Sequence, residues 1–381
     1  TLIAMARRGY NDPRQLASKL GKLALDVTRA DQARATMPVA DVMLTMFEGI
    51  GEEPEGAIDW PWPECTQKFG PLLPSECVLV SAEPATGKSS LVLMYAIHAA
   101  KRGKHVLYFS FEMSREELGR RMLAQESGVP EGKMLGRQGA IESAEMFAMQ
   151  AAGRRLAALP IALSDDPAVT LLRLRAEIQF ARATKGCDVV VVDYLQLIQK
   201  EHDDKEKNET TRLEALSRGL KALAQEFKIV MIVVSSLNDT KGQKGAPVMG
   251  NLRGSRSLGF DANKIFMLYT EEEIDEENPP PVMDVKIKAR KNRAGQRNAT
   301  ATLRFYGALY RFAMPDEDIF AEQPDPVDRN EAERWAPAPP ARQLAAPSPV
   351  EQAAADGTDW YEAADPFDLT DPDAPPLLRD S

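Results

Sequence analysis

Ser81-Ala82-Glu83-Pro84-Ala85-Thr86-Gly87-Lys88-Ser89-Ser90 is the stretch from which the rest of the chain can be read. Before it stands an apolar run, Cys77-Val78-Leu79-Val80, with the composition of a buried strand; after it Leu91-Val92-Leu93-Met94-Tyr95-Ala96-Ile97 opens as the apolar start of a helix. A strand, a tight loop ending Gly-Lys-Ser and a helix form the context in which a phosphate loop works. Backbone N–H groups at the helix start point at an anion, and the helix dipole favours negative charge there. The cradle expected from this pattern is Glu83, Pro84, Ala85, Thr86, Gly87, Lys88, Ser89 and Ser90. Gly87 admits close approach of the backbone, Lys88 supplies a cation to the β- and γ-phosphates, and Ser89 offers a hydroxyl to Mg²⁺. Ala82 stands where the usual pattern begins with glycine, and an ordinary turn between strand and helix is the rival reading.

Further along, His105-Val106-Leu107-Tyr108-Phe109-Ser110-Phe111 reads as a second buried strand, with Glu112 just past its carboxyl end. Open α/β sheets place their chemistry there, so Glu112 is a candidate base for the water that attacks a γ-phosphate. The competing reading is a carboxylate favoured by a helix start, ahead of Ser114 as cap. Cys187-Asp188-Val189-Val190-Val191-Val192-Asp193-Tyr194 is a continuous β-branched run, as in a parallel strand buried on both faces. Asp193 at its end is where a Mg²⁺ carboxylate belongs. Leu213 to Phe227 is an amphipathic helix, with Leu213, Leu216, Leu220 and Leu223 on one face. Ile229 to Val234 is another doubly buried strand, and Ile265 to Tyr269 a further one. Alternating strands and helices predict an α/β fold with a mainly parallel central sheet flanked by helices.

The remaining segments carry different signals. Residues 1–50 read as a short helical extension, in which Val42 to Phe47 packs on its own domain or on a neighbouring subunit. Residues 51–63 are a Gly/Glu/Pro-rich linker whose Trp60 and Trp62 pack beneath the phosphate strand or stand near the nucleotide, plain packing being the favoured reading. Gln199 to Thr211 reads as a solvated loop, and Asp239 to Ser257 as a long glycine-rich basic segment. Its Lys241, Lys244, Asn251, Arg253 and Arg256 suit a phosphodiester chain. Val285 to Ala289 alternates as an edge antiparallel strand does, Arg290 to Gly295 makes a basic turn, and Ala301 to Phe312 returns as the partner strand. From residue 314 to 381 Pro, Ala, Asp and Glu dominate, the composition of a disordered acidic tail. That tail has a net charge of −13 within a chain total of −10, which leaves the preceding residues at +3, compatible with a nucleic-acid partner. The three cysteines lack metal-ligand spacing and read as buried thiols. Neither a signal peptide nor a membrane-spanning run is apparent, so a cytoplasmic protein of a bacterial or phage-infected cell is expected.

In this order and spacing, a set of short motifs is specific: the phosphate loop, Phe109-Ser110-Phe111-Glu112-Met113-Ser114, Val192 to Ile198, Leu216 to Ala224, Asn251-Leu252-Arg253-Gly254-Ser255, and Lys291-Asn292-Arg293-Ala294-Gly295. Through them residues 64–313 resemble the RecA-like, P-loop motor domain of the DnaB-type hexameric replicative helicases. The resemblance implies a homo-hexamer hydrolysing ATP with Mg²⁺ between subunits while translocating on single-stranded DNA. It implies Glu112 as catalytic base and Asp193 as the Walker B carboxylate. Arg293, with Lys291 beside it, is implied as an arginine finger given to the neighbour, and Ser236 stands where relatives carry Gln or His. The family's N-terminal collar, which binds primase, does not fit before Trp60, so a phage- or plasmid-type variant is expected. Primase, loader, polymerase or single-strand-binding protein are its expected partners, through the N-terminal extension or the tail. The rival functions are a RecA/RadA-like recombination ATPase and an ATP-gated scaffold ring acting through its tail.

Overall fold

The computed structural model describes residues 38–198, 209–237, 246–251, 261–271, 279–293, 295–317 and 319. The expectations for 1–37, for most of 199–211 and 239–257, and for the acidic tail beyond 319 lie outside these residues. Among the described residues two compact units are present: 38–122 with 159–317, and 123–158 with 319. In chain order the elements are α1 (Val39–Glu48), α2 (Pro63–Phe69), β1 (Cys77–Ala82), α3 (Lys88–Lys101), β2 (Val106–Ser110), α4 (Arg115–Ser127), α5 (Glu131–Met134), α6 (Ser143–Ala157), β3 (Ile161–Ser164), α7 (Leu171–Thr184), β4 (Val189–Asp193), α8 (Glu209–Phe227), β5 (Val230–Ser236), β6 (Lys264–Tyr269), β7 (Val282–Asn292), β8 (Thr300–Tyr306) and β9 (Arg311–Ala313).

The first unit is built on a nine-stranded sheet ordered β3-β2-β4-β5-β1-β6-β7-β8-β9. The strands from β3 to β6 in that order run parallel, and β7, β8 and β9 are added antiparallel. Every residue of β1 and β4 is buried, because helices cover both faces of the parallel part. One face packs Leu174 and Ile178 of α7 and Leu213, Leu216, Leu220 and Leu223 of α8 against Leu79, Val190, Val192, Met231 and Val233. On the linker, Trp60 and Trp62 are buried as expected. The Trp60 indole meets Phe69, Tyr95 and Phe266 edge-on, with ring centroids 5.0–5.8 Å apart, and donates to the Gly70 carbonyl.

Two expectations for the antiparallel end are corrected. The strand that holds Val285 to Ala289 is interior, not an edge: β7 lies between β6 and β8, and its alternating pattern reflects one covered face and one open face. Ala301 to Phe312 is two strands, not one, because a 3₁₀ turn at Gly307–Leu309 and Tyr310 at φ 52° reverse the chain into β9. In the second unit, α6 starts with a capping box in which Glu142 and Glu145 exchange hydrogen bonds, and Lys133 of α5 reaches Glu145 at 2.5 Å.

All three cysteines are buried, as their apolar settings imply. Burial pushes each thiol up to about 12. Among the described residues no group of His, Cys, Asp or Glu is arranged to hold a metal by itself, and no helix is long and apolar enough to cross a membrane.

Candidate functional site

Parallel strands all deliver their carboxyl ends to one edge of the sheet, so residues distant in sequence meet there. Ala82 pairs with Ser236 at the end of β5, and Ser110 at the end of β2 pairs with Asp193 at the end of β4. The loop after β1 is held by Thr86, whose buried hydroxyl donates to the Glu83 carbonyl at 2.9 Å. Ala85 and Gly87 both take left-handed φ, 61° and 84°. A Cβ on Gly87 would lie 2.9 Å from Phe312 Cζ and 3.1 Å from the Phe305 ring, so both its conformation and its neighbours demand glycine. No side chain caps the start of α3, which leaves the first N–H donors of that helix for an anion.

Ala85, Gly87, Lys88, Ser89, Ser90 and Glu112 line one cavity of about 590 Å³. Glu112 reaches it from a turn in which Ser110 Oγ accepts the Met113 N–H at 3.1 Å and donates to the Met113 carbonyl at 2.7 Å. Ser114 caps the following helix through the Glu117 N–H, so the capping role belongs to Ser114 and leaves the exposed Glu112 carboxylate to the cavity.

Asp193 is almost wholly buried. Its Oδ2 accepts from the Tyr108 hydroxyl at 2.9 Å, while Oδ1 has no hydrogen-bond partner among the described residues. Burial pushes this carboxyl up; the Ser89 hydroxyl, Tyr108 and Lys88 pull it back, and Glu112 repels it. A buried carboxylate oxygen without a donor, next to a serine hydroxyl and a phosphate loop, fits a hard divalent cation. Tyr108 is a member of this site that sequence reasoning took only as part of an apolar strand. A second missed feature lines the same cavity: Arg121, bonded to Glu117 at 2.7 Å, lies over the Tyr310 ring at 4.5 Å from its centroid. Nothing in sequence spacing joins residues 121 and 310.

Lys291 and Arg293 are not brought to this cavity. Lys291 is level with Ile265, and through it with Leu79; Arg293, exposed, lies two residues further on, level with the amino end of β1. The phosphate loop leaves the other end of that strand, about 17 Å away at about 3.3 Å per residue. Of the expected DNA contacts, Lys241, Lys244, Arg253 and Arg256 lie outside the described residues. Asn251 is buried, and its side chain accepts the Val248 N–H at 2.7 Å, so it holds its own turn together.

Residues 64–314 match the DnaB-like helicase C terminal domain family. A replicative DNA helicase DnaB of Leifsonia xyli subsp. xyli is 31% identical over 245 residues, which cover 64% of this chain and 52% of that protein. The chain thus spans about half the length of such relatives. Among solved structures, one ATPase domain superposes with a TM-score of 0.65 at 23% identity, over 73% of this chain and 98% of that one. A DnaB-like replicative helicase, solved in a study of its interactions with primase, gives 0.64 at 21% identity, over 78% of this chain and 76% of that one.

Proposed function

Because the chain belongs, through residues 64–314, to the DnaB-like helicase C-terminal domain family, we propose that it is the ATP-driven motor of a replicative DNA helicase, working as a ring hexamer on single-stranded DNA. The observation that carries this reading is the gathering of Lys88, Ser89 and Glu112 around one cavity at the carboxyl edge of the sheet, with the buried Asp193 beside Ser89 at the end of β4. Such a motor acts where the chromosome is replicated, in the cytoplasm of a bacterial or phage-infected cell. Primase is one candidate partner, since a structural neighbour was studied with it.

In this proposal the open N–H groups after Gly87 and the Lys88 ammonium hold the β- and γ-phosphates of ATP. Ser89 and Asp193 hold Mg²⁺, which when bound neutralises charge on those phosphates. Tyr108 fixes the orientation of the Asp193 carboxylate by its hydrogen bond to Oδ2. Glu112, exposed to the cavity, takes the proton of the attacking water. Ser236, at the end of β5 beside Ala82, presents a neutral hydroxyl near the γ-phosphate. The stacked Arg121 and Tyr310 supply a flat cationic wall for the adenine base. Neither Arg293 nor Lys291 lines the cavity at their own phosphate loop, and Arg293 lies at the opposite end of β1, which supports their acting on a nucleotide held by a second copy of the chain. Hydrolysis then depends on how adjacent subunits are disposed.

ATP hydrolysis measured with and without single-stranded DNA tests the proposal. The expected result is DNA-stimulated turnover that Glu112→Gln and Arg293→Ala each reduce by about 100-fold or more. Turnover that ignores DNA, or is indifferent to Arg293→Ala, overturns it in favour of an ATP-gated scaffold.

A further inference from the structure

Two lysines near the amino ends of β1 and β6 are treated differently by the fold. Lys264, the first residue of β6, is fully buried; it pairs with Glu76 at 3.1 Å and donates to the Pro71 carbonyl. It is a structural cation with its own carboxylate. Lys221, on α8, is only half-buried, and among the described residues no carboxylate pairs with it. Its ammonium donates to the amide oxygen of Asn263, a neutral group. The same oxygen accepts the Cys77 N–H at 3.0 Å, and the Asn263 N–H returns to the Cys77 carbonyl at 2.7 Å. Asn263 is therefore locked by β1 and in turn locks the ammonium.

Lys221 faces two cations, Arg293 and Lys291, and two carboxylates, Asp261 and Glu76, of which Glu76 is paired with Lys264. Partial burial holds both the Lys221 and the Lys291 ammonium below the usual lysine range, and Arg293 depresses each further. Lys221 also depresses Lys291. Asp261 opposes this at both lysines; Glu76 does so at Lys221, though it is already committed to Lys264. A fold that keeps three cations within range of one another, one of them immobilised by an amide, has built an attraction for a polyanion. Nothing in the packing of α8 requires it, since the apolar face of that helix is carried by Leu213, Leu216, Leu220 and Leu223.

We infer that Lys221 is a third phosphate-directed cation of the inter-subunit site, given with Lys291 and Arg293 to the nucleotide held by a second copy of this chain. The inference rests on the proposal that Arg293 acts on a neighbouring subunit. Anchored on a helix and fixed by Asn263, Lys221 supplies a positioned charge beside an exposed finger that stands on a turn. It contacts phosphate oxygens and leaves the Glu112 proton transfer to the subunit that holds the ATP.

Mixing full-length subunits tests this. Lys221→Gln, Arg293→Ala and Lys88→Ala proteins are prepared separately, their folding is checked by thermal melting, and DNA-stimulated ATPase is read alone and in equal mixtures. Lys221→Gln alone is expected to lower kcat by about 10- to 100-fold, and Lys221→Arg to retain most of it. In a mixture with Lys88→Ala, an intact phosphate loop of the Lys221→Gln subunit faces an intact set of cations. Activity should then exceed the sum of the two proteins alone, whereas a mixture of Lys221→Gln with Arg293→Ala should show no such gain. If Arg293→Ala is complemented by Lys88→Ala and Lys221→Gln is not, Lys221 acts within its own subunit and the inference fails while the finger reading stands. If neither is complemented, both fall together. An unchanged kcat, or a loss confined to single-stranded DNA affinity, also overturns the inference. Should Lys221→Gln not fold, Lys221→Met preserves the aliphatic stem and the mixtures are read in the same way.

Discussion

Tyr108 and Asp193 illustrate how a single hydrogen bond can govern a site. Both are buried, so Tyr108→Phe leaves Asp193 Oδ2 without a donor in a place water does not reach. A bond to a charged group contributes about 1.5–3 kcal/mol. The variant should therefore bind Mg²⁺ at the ATP site about ten-fold more weakly, read by metal titration, with kcat recovering at saturating Mg²⁺. Gly87 makes a second residue-scale prediction. With φ at 84° and ring atoms of Phe312 and Phe305 within about a van der Waals contact of any Cβ, Gly87→Ala should lose nucleotide binding and lower the melting temperature by several degrees, for at least ~1–2 kcal/mol of strain. The sequence displayed this glycine because its type and position carry the information. It concealed Tyr108, since an aromatic residue in an apolar strand looks the same whether its hydroxyl meets a carboxylate or not.

Among the elements, β6 and the segment leading into β1 are joined by the buried Lys264–Glu76 pair. Burial holds the Lys264 ammonium below the usual lysine range while Glu76 opposes that. Glu76→Leu alone strands a buried cation and should destabilise the fold by about 3–5 kcal/mol. Combining it with Lys264→Met removes the stranded charge, so the urea midpoint of the double variant should lie well above that of Glu76→Leu. α1 makes the opposite kind of prediction. Val39, Leu44, Met46, Phe47 and Ile50 are exposed along and just after this helix. If the helix packs on another subunit, Leu44→Glu with Phe47→Glu should lower the mass of the assembly seen by sedimentation, with the melting temperature of the motor unit unchanged. The amphipathic pattern of α8 and the apolar runs of β1, β4 and β5 were plain in the sequence. The interior position of β7 was not, because its alternation reports one open face and says nothing about its lateral neighbours.

At the scale of the whole molecule, pH reports the sum of buried titratable groups. His98 is held down to about 4, chiefly by burial and then by Arg102, and its Nε2 has no hydrogen-bond partner among the described residues. A histidine depressed in the folded state takes up its proton more readily when unfolded. Stability should therefore fall as pH drops from about 6.5 towards 4, and His98→Leu should flatten that limb. The cysteines act on the other side. Thiols raised to about 12 stay neutral in the fold but ionise near their ordinary pKa when unfolded, so stability should also fall as pH rises from about 9 towards 12. Native protein at about pH 8 should leave all three thiols unlabelled by a thiol reagent until denaturant is added.

The sequence by itself determined the α/β class, the phosphate loop, the strand-end carboxylates Glu112 and Asp193, and the motifs shared with the replicative helicases. These are local: a strand, a turn and a helix start are specified by neighbours in the chain, and residue type alone supplies the charge or hydroxyl. Only the tertiary structure decided which strand ends lie side by side, that Tyr108 holds Asp193, that Arg121 meets Tyr310, and that Lys221, Lys291 and Arg293 form one cluster far from their own phosphate loop. Those relations depend on strand order and register, which are set by how the whole apolar surface is buried at once, and no stretch of sequence contains that information alone.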